Sequence, residues 1–227
     1  MTTTTNLYKL TVRRTKDSED YYQIRHEDLE DIRDHILYLC CDECKSDLKY
    51  TEGDGIHKHI ASLIEMIETP TTKKIGNVSS KRMTASWYKD SATKEDLKCV
   101  ENALKSACRK FNKEDVLYTL PKQLVVPDRG KPKIQVRGYP PSECFLYAGT
   151  RATNLYSHKT VMIHAFNRYP LVSVSSYLQD YGFPVDPDHF ALTELIQWVW
   201  RSAIREGKPI KLCIIPIRMR RLFDGWL

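Results

Sequence analysis

Three arginine-bearing constellations and one cysteine–histidine cluster are the residues of this sequence whose types and spacing could do chemistry. Gln197, Arg201 and Arg205 recur at i, i+4 and i+8 in a segment that reads as a helix, Phe190 to Glu206. A continuous helix would set them in one polar stripe. Two guanidiniums and an amide in line suit a row of phosphate oxygens, because each guanidinium offers a planar fork of donors. The competing reading is a solvent-facing stripe on an amphipathic helix, and spacing alone favours it. Upstream, Arg151, Thr153 and Asn154 fall in a loop after the apolar run Cys144–Ala148, where a hydroxyl and an amide could meet a phosphate backbone. Near the end, Arg218, Arg220 and Arg221 form a basic tail whose charge could serve any polyanion regardless of sequence.

The cluster Cys41-x-x-Cys44 followed by His57-x-His59 has the ligand types of a zinc site. His-x-His places its imidazoles on opposite sides of a strand, or about 200° apart on a helix, so a loop would have to bring them together. Cysteine is also a common apolar filler at the end of an amphipathic helix, and that reading is preferred; zinc is not expected. His158, His164 and Cys144 lack the local signatures of a nucleophilic site. Neither G-x-x-x-x-G-K-[ST] nor G-x-G-x-x-G occurs, so the chain is not expected to hydrolyse ATP on its own.

The elements that must position these residues follow from periodicity. A strand is expected at Leu7–Val12 and a helix at about Arg25–Cys40, where Leu29, Ile32, Ile36 and Leu39 recur at 3-4-3 spacing opposite a dense acidic face. A second helix is expected from Ile56 to Ile67, stopped by Thr69-Pro70. Residues 1–75 then read as an acidic, mostly helical unit. Residues 76–227 read as a basic α/β domain. Thr93 with Asp96 three positions on caps a helix to about Phe111. Cys144–Ala148, Thr160–Phe166 and Ile210–Ile217 read as buried strands, with helices from Pro170 to Gly182 and from Arg218 to Trp226.

Charge sharpens the division. Residues 1–70 carry 9 Lys+Arg against 15 Asp+Glu, a net of −6; residues 71–227 carry 26 against 14, a net of +12. A basic body points to a polyanion partner. No apolar run is long enough for a membrane span, no signal-peptide pattern opens the sequence, and the seven cysteines have no regular spacing. Reduced thiols and a cytoplasmic location are therefore expected, with no membrane partner.

The stretches SSKRMTASWY (79–88), RATNLYSHKTVMIHAFNRYP (151–170) and FALTELIQWVWRSAIREGKPIKLCIIPIRMRRLF (190–223) together resemble the C-terminal part of helicase-like proteins of phages and mobile elements. Those are similar to superfamily 2 helicases, with two RecA-like domains around a nucleotide cleft. The resemblance implies a RecA-like second lobe over about residues 79–227. It implies that Gln197, Arg201 and Arg205 stand where the sixth helicase motif supplies arginine fingers. It also implies that Thr153 and Asn154 stand near the fifth motif, beside the nucleic acid. The usual sixth motif spaces its arginines three apart with an intervening glycine; here the spacing is four. The first RecA-like domain and its D-E-x-D/H carboxylates are absent from the sequence, so ATP and magnesium are expected only with a partner domain. The resulting expectation is a DNA- or RNA-binding protein of replication, or a lobe completing a partner's ATPase site. The alternative is a protein–protein adaptor or inhibitor that docks on a host protein through its acidic helical head.

Overall fold

The chain divides into residues 1–55 and residues 56–227 as separate units. The computed structural model describes residues 56–77, 82–150 and 155–227. The expected elements at Leu7–Val12 and Arg25–Cys40 lie outside these.

Four strands, β1 (Ile64–Met66), β2 (Val116–Thr119), β3 (Val161–His164) and β4 (Ile210–Ile214), form one sheet in the order β1-β4-β3-β2. Every pairing is parallel, with Ile64 opposite Ile210, Met162 opposite Leu212, and Thr119 opposite His164. The two central strands, β4 and β3, are apolar apart from Lys211 and His164, because a parallel sheet is covered on both faces. β2 and β3 have no exposed position. The expected α/β domain with a parallel sheet is what the chain forms.

The helices alternate with these strands. α1 (Ile56–Ser62) precedes β1, and α2 (Pro70–Gly76) follows it under a Thr69 cap. α3 (Lys94–Cys108) starts at the expected capping box, with the Asp96 amide donating to Thr93 Oγ1 at 3.1 Å and the Thr93 amide donating to the Asp96 carboxylate at 3.1 Å. Val100, Leu104 and Cys108 line its buried face. Short helical turns α4 (Lys122–Val125) and α5 (Pro141–Cys144) break the connector to β3. α6 (Val172–Asp180), α7 (Pro187–Val199) and α8 (Ile217–Trp226) complete the set, with a 3-10 turn at Ala203–Glu206.

The path from β1 to β2 crosses the whole sheet, and the chain then steps back through β3 to β4. Right-handed crossovers therefore put α3 and α7 on opposite faces. Trp198 of α7 packs edge-on against His164 of β3, while Cys108 of α3 interacts with Tyr118 and Cys213 on the other face.

Three expectations change. The helix expected over Ile56–Ile67 ends at Ser62, because Ile64–Met66 pairs with β4. The boundary expected at 75/76 accordingly moves to 55/56, since residues 56–76 supply an edge strand and a covering helix. Cys144–Ala148 is not a strand; Cys144 closes α5 and only Phe145 bridges Tyr118, extending the β2 edge by one residue.

One glycine is demanded by close approach. A Cβ on Gly76 would overlap the Ile215 carbonyl oxygen and touch the Arg220 guanidinium. Gly76→Ala is expected to destabilise the domain by about 1–3 kcal/mol, read as a lowered urea midpoint, because backbone rather than a flexible side chain must move. An unchanged midpoint would show that α2 shifts at no cost.

Candidate functional site

In open α/β sheets, ligands bind outside the carboxyl ends of the strands, where connections leave in opposite directions. Here that point lies between β1 and β4, and the chain's own arginine fills it. Arg220 donates from Nε to the Ile214 carbonyl at 3.0 Å and from Nη2 to the Ile215 carbonyl at 3.1 Å, and Nη1 pairs with Glu68. Glu68 sits in the β1–α2 turn, where its carboxylate would repel a phosphate.

Arg218 is equally committed. Its guanidinium meets Asp188 at 2.6 Å, the Asn167 side-chain oxygen and the Arg168 carbonyl at 2.9 Å each, and the Pro187 carbonyl at 2.7 Å. It also lies 4.0 Å over the Tyr169 ring. With side chains only 11% and 13% exposed, Arg218 and Arg220 are not the open phosphate ligands expected of a basic tail. They bind α8 to the strand ends, and Arg221 is the exposed member of the three.

A buried polar nest lies beneath α7 at the same edge. Arg168 pairs with Glu194 at 2.6 Å, donates to Tyr147 Oη at 3.2 Å, and packs against the rings of Tyr147, Phe166 and Phe190. Next to it, His164 is fully buried and neither ring nitrogen has a hydrogen-bond partner among the described residues. Burial, helped by the Arg168 charge, pushes its pKa down to about 3. Thr119, its register partner, has an orphan hydroxyl as well. Each such group costs about 1–3 kcal/mol. Over this edge, Met83 holds a left-handed φ of 63°, a rare conformation for a side chain of its size, and its carbonyl accepts from the Asn167 amide at 2.9 Å. Sequence reasoning sets His164 aside because its strand position reveals burial but not the lack of a partner.

The opposite, amino edge of the sheet collects exposed cations. Helices between parallel strands run antiparallel to them, so α3 and α7 both end there. α7 stops at Val199, and the chain turns because Ser202 is extended, donates from Oγ to the Val199 carbonyl at 2.7 Å, and is followed by an Ala203 amide that donates to the Lys159 carbonyl at 2.9 Å. The stripe of Gln197, Arg201 and Arg205 is therefore not one helix face. Gln197 is on α7, Arg201 in the turn and Arg205 in the 3-10 helix, all at the amino edge. A finger reaching a nucleotide at the carboxyl edge would have to span the sheet.

The loops at this edge are hydrogen-bonded together. Lys159 Nζ donates to the Lys113 carbonyl at 3.1 Å, and the Thr160 amide donates to the Asp115 carbonyl at 3.0 Å. Arg109, Lys110, Lys113, Arg205 and Lys208 are exposed on them, with Arg201 half-buried. Glu114, Asp115, Glu143 and Glu206 are the local carboxylates; Glu206 pairs with Lys208 at 2.6 Å, and Glu143 with Lys113 at 2.9 Å. Cations still exceed carboxylates.

Arg151, Thr153 and Asn154 lie outside the described residues, as do Cys41, Cys44 and the His57 side chain. His59 is exposed on α1. Among the described residues no cluster of His, Cys, Asp or Glu could hold a metal, and Cys99, Cys108, Cys144 and Cys213 are free thiols. Burial pushes the Cys213 thiol up to about 12. No helix among the described residues is long and apolar enough to cross a membrane.

Comparison with known proteins adds the family. No solved structure matches the chain. A prophage relative, the SPbeta prophage-derived uncharacterized protein YonV of Bacillus subtilis (strain 168), is 40% identical over 97 residues. That match covers 43% of this chain and 23% of the relative, so the chain spans about a quarter of that protein's length. Of the expected resemblance to a helicase lobe of phage-borne proteins, the phage association and a Rossmann-like α/β domain are met. The family model described as the YonV C-terminal Rossmann-like domain matches residues 58–227, 170 of the 227 positions, which end to end include the four-stranded sheet, and the chain belongs to that family.

Proposed function

We propose that this chain is a phage-associated protein that binds DNA or RNA electrostatically, through the cationic amino edge of its Rossmann-like sheet. The observation that carries this reading is the convergence of three hydrogen-bonded loops. They bring Arg109, Lys110, Arg201, Arg205 and Lys208 to one edge of a segment whose net charge is +12. Such a surface attracts phosphates by counterion release and needs no base readout. The carboxyl-edge arginines, held by Asp188, Glu68 and Glu194, are not part of it. Arginine fingers completing a partner's ATPase site, and an adaptor role for residues 1–75, rest on the resemblance and on charge alone.

Fluorescence anisotropy with labelled single- and double-stranded DNA and RNA across a salt series tests the proposal. Log affinity is expected to fall linearly with log salt, and removing one phosphate-bound cation should reduce the slope by about 0.7–0.9. Arg109→Glu/Lys110→Glu/Arg205→Glu should therefore reduce the slope by about two to three and weaken binding for every sequence alike. No binding at low salt, or an affinity untouched by the triple variant, would overturn the reading.

A further inference from the structure

The connector from β2 to β3 runs back along α3. It leaves β2 at the carboxyl edge and folds on α4, where the Lys133 and Ile134 amides donate to the Leu124 carbonyl at 2.9 and 3.0 Å. The Gln135 amide then donates to Glu101 of α3 at 3.1 Å. The Tyr139 hydroxyl lies 2.7 Å from both the Cys108 and the Phe111 carbonyl oxygens, where α3 ends at the amino edge. Between these anchors the side chains alternate as in a strand. Ile134 and Val136 are buried, while Lys133, Gln135 and Arg137 are exposed.

α3 carries a second row beside the first. Lys98, Asn102, Lys105 and Arg109 recur at 4-3-4 spacing, which sets them in one stripe over about 16 Å of helix. Glu101 is the carboxylate between them. Lys98 at 2.8 Å and Lys105 at 2.6 Å both lean on it, and with the Gln135 amide it ties the connector to the helix. Residues 98–110 and 133–137 together hold six cations and this one carboxylate.

We propose that a nucleic-acid strand held at the amino edge continues along this face, its phosphates following the stripe from Arg109 to Lys98 with Lys133 and Arg137 alongside. The inference rests on the nucleic-acid reading above and extends its site from a patch to a track. Arg109 and Lys110 belong to both surfaces, so one polyanion can pass from the edge to the helix without a break in charge. The partner must carry regularly repeated negative charge over this length. A duplex strand does so, with phosphates about 3.4 Å apart, so about five of them pass along the stripe. A lone anion or a mononucleotide would reach only one end. Asn102 and Gln135 add exposed amides that can meet phosphate or sugar oxygens.

Lys133→Gln/Arg137→Gln tests the track, because it removes two charges from exposed side chains and none from the amino edge. Circular dichroism and the urea midpoint should stay at wild-type values. In the anisotropy salt series the slope should fall by about 1.4–1.8, and binding near physiological salt should weaken about tenfold or more. Bound nucleic acid should also shield Lys133 from an amine-acylating reagent, read by mass spectrometry, while Lys73 on α2, 58% exposed, stays as reactive as in the free chain. A wild-type slope in this double variant, or an unshielded Lys133, overturns the track; if Arg109→Glu/Lys110→Glu/Arg205→Glu still impairs binding, the amino edge stands without it. A wild-type chain that binds no nucleic acid at low salt overturns both.

Discussion

Between about pH 6.5 and pH 4.5 the domain should lose about 2–3 kcal/mol of stability, and His164→Phe should abolish most of that loss. The sign follows from the proton inventory. His164 is neutral in the fold down to about pH 3, while in the unfolded chain it takes up a proton near its ordinary value of 6.5. The unfolded state therefore binds more protons throughout the window from about 6.5 to 3, and stability falls by about 1.4 kcal/mol for each unit of acidification. Glu101 acts later. Burial would raise its pKa, but hydrogen bonds from Lys105, Lys98 and the Gln135 amide bring it to about 2, below an ordinary 4.5. Its contribution is full above 4.5 and is lost only as pH drops towards 2. Phenylalanine keeps an aromatic edge against Trp198, 5.4 Å away, and removes two orphan nitrogens. At neutral pH the variant should thus be more stable by about 1–2 kcal/mol. Urea midpoints at several pH values measure both effects; equal acid slopes in wild type and variant would sink the assignment.

Breaking the ion pair beside it should cost more. Glu194→Gln keeps the shape of the side chain but leaves the Arg168 guanidinium, 15% exposed and hemmed in by three aromatic rings, without its carboxylate. Removing one member of a buried pair typically destabilises by about 3–5 kcal/mol, because the stranded charge has lost its solvent as well as its partner. Replacing both, as Arg168→Met/Glu194→Leu, should recover most of that, since the desolvation of two ions disappears with them. The urea midpoints of the two single variants and the double form a cycle. If Glu194→Gln costs under about 1 kcal/mol, the pair behaves as a solvent-screened one and the buried nest is not what holds α7 to β3. Arg168→Met also removes a positive charge that lowers the His164 pKa, so it should shift the acid limb towards lower stability loss.

Parts of the fold are plain from residues close in sequence. The Thr93–Asp96 capping box, the apolar runs that become β3 and β4, and the amphipathic α8 each carry their signal within a dozen positions. What escapes is settled by distant partners. Ile64–Met66 is an indifferent three-residue run inside a helix-like pattern until β4 offers it a ladder. The break after Val199 depends on the Lys159 carbonyl, forty-four residues before Ala203. Arg218 and Arg220 read as open cations, and only tertiary structure delivers Asp188, Asn167 and Glu68 to receive them. For the site, Arg201 and Arg205 are legible as residue types, but their placement at the amino edge, together with Arg109 and Lys110, requires the strand order.

That strand order also dictates when the sheet can close. β4 lies between β1 and β3, so Ile64 meets its partner Ile210 across 146 residues of chain. During synthesis β2 and β3 can pair as soon as both have left the ribosome, whereas β1 has no neighbour until nearly the whole domain is made. The growing chain therefore carries two unpaired strand edges, on β1 and on β3, and β4 must enter between them as the last piece. Such long-range parallel pairing is intrinsically slow, and open edges are templates for aggregation. A chain interrupted before Ile210 would lose not one strand but two, and would expose the hydrogen-bonding edge of β3 with its apolar Val161-Met162-Ile163 run.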